Sequence, residues 1–456
     1  MEPKASFMIA APTSGSGKTT IARGLMALLT AKGLKVQPFK CGPDYIDTKF
    51  HTSVCGRPSV NLDTFMASPE HIRELFARYG EDADICIVEG MMGFFDGYDR
   101  ERGSSYEIAR ELGIPVVLVV DAKSAAYSMA ALISGFLNFR KDVRIAGIIF
   151  NKVGSARHFE MLQQVCSDLG VTCFGYLPKS ASLEQGSRYL GLDFSKEAEN
   201  EGLISALEEH VDWEALSKLG VSSDESRTFI GELGFAACYR RDARKSEFPR
   251  RKVRALIARN AESFSFLYQE VIDSFASVNY FDPEKDVPSF ESIDLLYLPG
   301  GYPEKHLDAL VKNEACRKAI KAFAEQGGRI QAECGGMMYL CEQIVTDEGE
   351  HPMCGVLPYS ITARKEDRKL SLGYRRFTLD GEEYRGHEFH YTQFFSEKSG
   401  RSASGRLLPT GRKKAERLGE TPKSEVQVYN AKGEPVPTPV FRYKNVLASY
   451  THLYRI

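Results

Sequence analysis

One stretch limits what this chain can fold into more than any other: Ala11-Pro-Thr-Ser-Gly-Ser-Gly-Lys-Thr-Thr20, lying between a short apolar run and an amphipathic one. The apolar run, Phe7 to Ala11, reads as a buried strand. Beyond the loop, Ile21, Leu25, Leu28 and Leu29 recur at i, i+4, i+7 and i+8, one face of a helix. Gly33 stands where a helix C-cap belongs. A strand, a glycine loop and a helix N-terminus make a cradle for phosphate, because backbone N–H groups point inward and the helix end is positive. Gly15 and Gly17, on either side of Ser16, give the backbone the freedom that cradle needs. Lys18 is placed for the β- and γ-phosphates and the Thr19 hydroxyl for Mg²⁺; Thr20 completes the motif. Pro12 stands where the general pattern has Gly. An ordinary glycine turn ahead of a helix is the alternative, and the strand–loop–helix context favours ATP binding.

Leu34–Phe39, Ile85–Val88, Pro115–Val120 and Ile145–Phe150 continue the pattern. The last three of these runs are almost uninterrupted in apolar character, as strands covered on both faces are. Helical stretches separate them, so residues 1–192 are expected to form a doubly wound α/β domain with a mostly parallel sheet. Ligands bind such sheets at the carboxyl ends of the strands, and three acids map there. Asp44 and Asp47 belong to the block Lys40-Cys-Gly-Pro-Asp-Tyr-Ile-Asp, and Glu89 follows Ile85–Val88. Asp44 and Asp47 would share a face of a helical turn, and helix capping is their alternative reading. Their place on the edge that carries the glycine loop favours metal and substrate handling, with Thr19, Asp44 and Glu89 as metal ligands. Asn151 follows Ile145–Phe150 on the same edge, its amide suited to a nucleobase or, equally, to a strand-end turn.

Composition shifts after Leu192. Residues 193–225 look helical and acidic, and Tyr239–Lys252 holds seven Lys/Arg against Asp242 and Glu247. Residues 193–252 therefore read as a helical segment and a solvated basic linker. Alternation resumes with Val253–Ala258, Ile293–Leu298 and Gly327–Ala332, which makes residues 253–456 a second doubly wound α/β domain. Lys398–Lys423 holds eight Lys/Arg against Glu416 and Glu420 and reads as a mobile loop, part of a flexible insertion near 397–440.

The second domain carries Gln331-Ala-Glu-Cys-Gly-Gly-Met-Met-Tyr-Leu340. A strand running into Cys334, with two glycines and a helix after it, resembles the strained turn that exposes a nucleophile. The helix end is expected to lower the thiol pKa and to supply oxyanion N–H donors. Gly300-Gly301, also after a strand, is placed to complete that oxyanion hole. The alternative for a single Cys is a small buried hydrophobe. His452, His387 and His390 are the candidate bases, and spacing alone does not rank them. His387 and His390 would lie on opposite faces of a strand, which makes them a poor chelating pair.

With 456 residues, the chain fits two domains or three. A net charge of −2 argues against nucleic acid as the partner. The longest strongly apolar run, Ile114–Val120, is far short of a membrane span. No signal-peptide pattern opens the chain, so a cytoplasmic protein with ten reduced cysteines is expected. A homodimer is among the assemblies left open.

Six blocks occur together and in order: the glycine loop, Cys-Gly-Pro-Asp-Tyr-Ile-Asp, Val-Glu-Gly-Met-Met-Gly-Phe-Phe-Asp-Gly, Gly-Gly-Tyr-Pro-Glu304, Ala-Glu-Cys-Gly-Gly and Gly-His-Glu-Phe-His-Tyr. Over almost the whole chain they resemble the cobyrinic acid a,c-diamide synthase family. The resemblance implies a dethiobiotin-synthetase-like domain joined to a class I glutamine amidotransferase-like domain. It also implies ATP- and glutamine-dependent amidation of the a and c acetate carboxylates of cobyrinic acid or a related tetrapyrrole. Cys334 matches the family's nucleophile and His452 its base. Asp44, Asp47 and Glu89 match acids of the synthetase site. Tyr454 stands where the usual amidotransferase triad has Glu, so the resemblance implies a Cys-His dyad. Departures occur at Asn260, where relatives tend to have Asp, and at Arg188-Tyr189, where Arg-His is usual.

The chemistry implied is carboxylate activation by the γ-phosphoryl of ATP, then attack on the acyl phosphate by ammonia released from glutamine. Ammonia must arrive unprotonated, so the two domains are expected to face each other across an enclosed path. The rivals are the same diamidation on nickel-sirohydrochlorin or hydrogenobyrinate, a non-catalytic ATP switch, and a binding module with a dead amidotransferase half. The switch proteins carry an extra lysine early in the loop, where Pro12-Thr13-Ser14 stands here.

Overall fold

The computed structural model describes residues 5–180, 197–220, 251–395 and 423–454. The chain divides into two compact units, Met1–Ser246 and Glu247–Ile456.

The first unit is built on seven strands: β1 (Ala5–Ala10), β2 (Val36–Cys41), β3 (Val60–Leu62), β4 (Ile85–Glu89), β5 (Val116–Asp121), β6 (Ile145–Val153) and β7 (Thr172–Pro178). They lie in the order β3-β2-β4-β1-β5-β6-β7, and all neighbours run parallel. β1, β2 and β4 are buried along their whole length; β1 and β4 are accordingly almost uninterrupted in apolar character, whereas β2 buries Gln37 and Lys40. The order reverses at β1, so the loop after β1 opens at a topological switch point. Helix α1 (Lys18–Ala31) follows that loop, and α2 (Asp47–Cys55) follows β2.

Residues 197–220, within the expected helical segment, belong to this unit. Leu203 and Leu207 of helix Glu197–His210 are buried in the same core as α1. They pack so closely on Gly24 that a Cβ there would fall 2.4 Å from the Leu207 side chain. Asp212 N–H then bonds to the Phe174 carbonyl at 2.8 Å and Ser6 N–H to that of Leu219 at 2.7 Å, tying the segment to β7 and β1. The acidic face of the helix masks this apolar stripe in a composition scan. Arg188-Tyr189 and residues 239–250 of the basic run lie outside the described residues.

The second unit contains β8 (Arg251–Ala258), β9 (Phe275–Phe281), β10 (Leu295–Leu298) and β11 (Ile330–Glu333). Short strands follow: β12 (Gln343–Val345), β13 (Glu350–Pro352), β14 (Ser360–Thr362), β15 (Ser371–Leu379), β16 (Glu382–His390) and β17 (Gln393–Phe394). The last are β18 (Val428–Tyr429), β19 (Pro435–Val436), β20 (Val440–Tyr443), β21 (Val446–Ser449) and β22 (His452–Leu453). The main sheet has the order β20-β21-β11-β10-β8-β9, parallel apart from the β20 edge. A five-stranded antiparallel sheet, β19-β18-β15-β16-β22, brings the chain's last strand beside β16. Part of the expected insertion near 397–440 is described. Residues 423–440 include β18 and β19, and Val428 packs with Phe377, Leu379 and Leu453. The basic residues 398–422 lie outside the described residues.

Candidate active sites

The loop after β1 runs straight into α1, with Gly15 and Gly17 at φ 81° and 95°. These are left-handed conformations that favour glycine. Gly17 is also a close-approach site, because a Cβ there would lie 2.0 Å from Nδ2 of Asn151. That amide donates to the Ser16 carbonyl at 2.9 Å, and its Oδ1 accepts from Lys152 N–H at 2.9 Å. Asn151, read equally as a nucleobase partner or a strand-end turn residue, thus braces the loop through Nδ2 while Oδ1 is taken by the next residue of β6. Lys18 Nζ donates to the Met92 carbonyl. Thr20 is half-buried in the first turn of α1.

The acids meet where the strand register places them. Lys40 on β2 pairs with Glu89 on β4, which in turn pairs with Ile9 on β1. Thr19 Oγ1 donates to Glu89 Oε1 at 2.6 Å and approaches Asp47 Oδ2 at 3.4 Å. The buried Lys40 ammonium lies between the same two acids, 2.9 Å from Asp47 and 3.0 Å from Glu89. Burial works to discharge Lys40, but Asp47, Glu89 and Asp44 outweigh it and raise its pKa. Burial also works against an ionised Glu89, yet Lys40, His51 and Thr19 hold its carboxyl well below the usual range. His51 Nε2 takes Glu89 Oε2 at 2.7 Å, which leaves Oε1 facing the loop. Asp44 behaves differently: its Oδ1 accepts the N–H groups of Ile46 and Asp47 at 2.9 and 2.8 Å, the capping role set against the metal role above.

Among the described residues, no group of three His, Cys, Asp or Glu side chains is arranged to hold a metal ion. One hydroxyl and two carboxylates are nevertheless a hard oxygen set. That suits Mg²⁺, which keeps several waters and binds through few protein ligands together with phosphate.

In the second unit, β11 ends at Glu333 and Cys334 turns sharply at φ 46°, ψ −109° into helix Gly335–Leu340. Such backbone is strained for a residue with a side chain. Cys334 N–H bonds to the Ser449 carbonyl at 2.8 Å, which fixes the turn against the end of β21. Gly300-Gly301, after β10, is wedged between the two expected reactive residues. A Cβ at Gly300 would lie 2.1 Å from Cε1 of His452, and one at Gly335 would lie 2.8 Å from the Gly301 carbonyl oxygen. The thiol is buried and faces the Phe389 carbonyl of β16, with Sγ 3.9 Å away.

The thiol departs from expectation. Burial, with the Glu304 carboxyl next in weight, pushes its pKa up, and the helix end offsets only part of this. A resting thiol therefore needs a base to remove its proton. Burial, reinforced by His387 and His390, pulls His452 down to about 3, so its imidazole is neutral near pH 7 but a weak acceptor unless the cation it would become is stabilised. His387 pairs with His452 across β16 and β22. His390 is held elsewhere: Nε2 meets Glu388 at 2.7 Å, Nδ1 meets the Thr392 carbonyl at 2.8 Å, and its ring stacks on Tyr450. Glu388 is also paired with Arg375 at 2.5 Å.

Sequence reasoning passed over Lys40, His51 and Glu333. Lys40 opens the block that carries Asp44 and Asp47, and His51 follows Asp47 by one helical turn. Glu333 is the residue before Cys334. Asn260 donates to Ser263, Asp282 and Glu284 at 2.6, 3.0 and 2.9 Å, so an amide there joins two acids that an aspartate would repel. The nine described cysteines are free thiols. No described helix is long and apolar enough to cross a membrane.

Residues 7–191 match the CobQ/CobB/MinD/ParA nucleotide binding domain, and residues 272–455 match the CobB/CobQ-like glutamine amidotransferase domain. The chain is 37% identical to a cobyrinate a,c-diamide synthase of Caldanaerobacter subterraneus subsp. tengcongensis, across 98% of this chain and 94% of that one. It is 38% identical to a hydrogenobyrinate a,c-diamide synthase of Rhizobium meliloti, across 86% and 90%. A hydrogenobyrinate a,c-diamide synthase of Streptomyces coelicolor is 37% identical, across 85% and 86%.

Proposed function

The chain belongs to the family of cobyrinate and hydrogenobyrinate a,c-diamide synthases, and from that premise we propose that it amidates the a and c acetate carboxylates of cobyrinic acid with ATP and glutamine. It is a carbon–nitrogen ligase that draws its nitrogen from glutamine. The observation that carries the reading is the presence of both half-sites in one chain. One is the Thr19–Glu89–Asp47–Lys40 cluster beside the glycine loop, and the other is the strained Cys334 turn packed with Gly300-Gly301 and His452.

In the nucleotide half-site, the N–H groups around Gly15–Thr19 and the start of α1 bind phosphate oxygens. Lys18 leaves the Met92 carbonyl for the β- and γ-phosphates. Thr19, Asp47 and Glu89 are the residues that would hold Mg²⁺, and bound Mg²⁺ supplies neutralisation of phosphate charge. Asp44 holds the turn that aims Asp47. Lys40 helps keep Glu89 ionised, pairs with Asp47, and offers a cation to the carboxylate being phosphorylated. Asn151 acts on the nucleotide through Ser16, by fixing the loop. The product of this half-reaction is an acyl phosphate and ADP.

In the other half-site, His452 takes the Cys334 proton and the thiolate attacks the glutamine side-chain amide. N–H groups of the Gly335 turn and the Gly300-Gly301 loop receive the oxyanion. The proton passes from His452 to the departing ammonia, and water then cleaves the thioester to glutamate. Ammonia displaces phosphate from the acyl phosphate and gives the amide.

Relatives named for cobyrinate and for hydrogenobyrinate are equally similar, so the substrate is set by assay. The protein is incubated with ATP, Mg²⁺, glutamine and each of cobyrinic acid, hydrogenobyrinic acid and nickel-sirohydrochlorin. The expected outcome is a loss of about 1 Da per converted carboxylate with ADP formed in step, fastest on cobyrinic acid. Faster turnover of another tetrapyrrole reassigns the substrate, and ADP release with no mass change refutes amidation.

A further inference from the structure

The mechanism above leaves several buried acids unused, Glu333 among them. Glu333, the last residue of β11, is almost fully buried. Its Oε2 lies 4.0 Å from Nδ1 of His452. Four elements fix that carboxyl. Tyr297 of β10 donates to Oε2 at 2.8 Å, Gln331 of β11 donates to Oε1 at 3.1 Å, and the Leu453 N–H of β22 also bonds to it. The fourth is the Cys334 turn, which starts at the next residue. Glu388, the other buried acid near His452, is committed to Arg375, His390, Ser371 and Thr438. Tyr454 occupies the chain position after His452 where an acid would otherwise serve.

A neutral imidazole that must accept a proton at Nε2 needs its other proton on Nδ1, and an acceptor opposite Nδ1 selects that tautomer. Once the imidazole becomes a cation inside a buried site, a carboxylate on the Nδ1 side offsets the cost of that charge. Glu333 is the acid in that place. We propose that Glu333 is the third member of the glutaminase centre, a positioning residue that orients His452 through Nδ1 and stabilises its protonated form. The acid of this triad precedes the nucleophile in the chain instead of following the base.

Burial raises Glu333 to about 8 despite the Gln331 and Tyr297 bonds, so it gains its charge in the neutral-to-alkaline range. The other titratable groups around the pair are Tyr297 and Cys334 on the Glu333 side, and His387, His390 and Glu388 on the His452 side.

The inference rests on Cys334 and His452 as nucleophile and base, and the test separates the two ideas. Glutamine hydrolysis and ammonium-dependent amidation are measured for the native protein, Cys334→Ala, Glu333→Gln and Glu333→Asp between pH 6 and 9. Glu333→Gln is expected to cut kcat for glutamine on the order of 10²–10⁴-fold with KM little changed. The alkaline rise of the native profile disappears with it, and Glu333→Asp recovers part of the rate. Ammonium-dependent amidation reports on the first unit, and a native circular dichroism spectrum with a cooperative thermal melt is required of each variant to show that the second unit is folded. If Cys334→Ala is dead and Glu333→Gln retains the native rate and profile, the triad is refuted and the nucleophile stands. A loss of rate with the pH profile intact and no recovery in Glu333→Asp also refutes it, since that marks structural support alone. If Cys334→Ala still uses glutamine, the reading of the centre itself fails.

Discussion

Lys40 and Glu333 show what burial does to single charged side chains in this protein. Lys40 is almost wholly buried yet stays charged, because Asp47 and Glu89 lie within 3.0 Å and outweigh the loss of water. Removing its charge would leave two buried carboxylates facing one another, a costly arrangement. Lys40→Met is therefore expected to abolish ATP-dependent amidation with glutamine or ammonium while glutaminase persists; amidation close to native would show that the ammonium is dispensable. Glu333 is the opposite case, a carboxyl raised to about 8 because its neutral donors do not offset burial. The folded protein keeps that proton longer than the unfolded chain, whose carboxyl has its ordinary value near 4.3. The stability this contributes is full below that value and is lost as pH rises toward 8. In thermal melts, Glu333→Gln should thus gain on the native protein steadily from pH 5 to 8. A gap that does not change with pH contradicts the raised pKa.

Elements were legible from sequence to the extent that their burial was uniform. β1, β2, β4 and β5 are covered on both faces, so their apolar runs were readable and their edges pointed to the site. β3, with three residues, and the two-residue strands β17 to β19 have no period to read, and they exist only through their partners. Thr19, Asp47 and Glu89 could be placed at one edge because each follows a readable strand. Lys40 and His51 could not, since their contacts depend on the β2–β4 register and on which face α2 turns inward. The Glu333–His452 pairing joins β11 to β22, a strand of two residues that no pattern announces. The loop before α1 gives an element-scale prediction. Gly17→Ala would combine a strained φ of 95° with a Cβ 2.0 Å from the Asn151 amide. Displacing the loop by even about 1 Å should cost amidation roughly 10²-fold, with glutaminase unaffected. Helix Glu197–His210 gives another: Leu207→Ala, deep in the first core, should cost about 2–5 kcal/mol in a denaturant titration, whereas a helix lying outside the core would tolerate it.

For the whole molecule, the division of labour is the claim on which the rest depends. Met1–Ser246 carries the phosphate loop and acid cluster, and Glu247–Ile456 carries the strained cysteine and its histidine. Neither chemistry alone makes an amide from a carboxylate and glutamine. The account predicts that damage to one unit leaves a defined partial reaction in the other. The most direct measurement is amidation of cobyrinic acid by Cys334→Ser, followed by mass with ATP and Mg²⁺ and with either glutamine or concentrated ammonium as nitrogen donor. The predicted result is no product from glutamine and near-native product from ammonium. Product from glutamine, or none from ammonium in a folded variant, would contradict it.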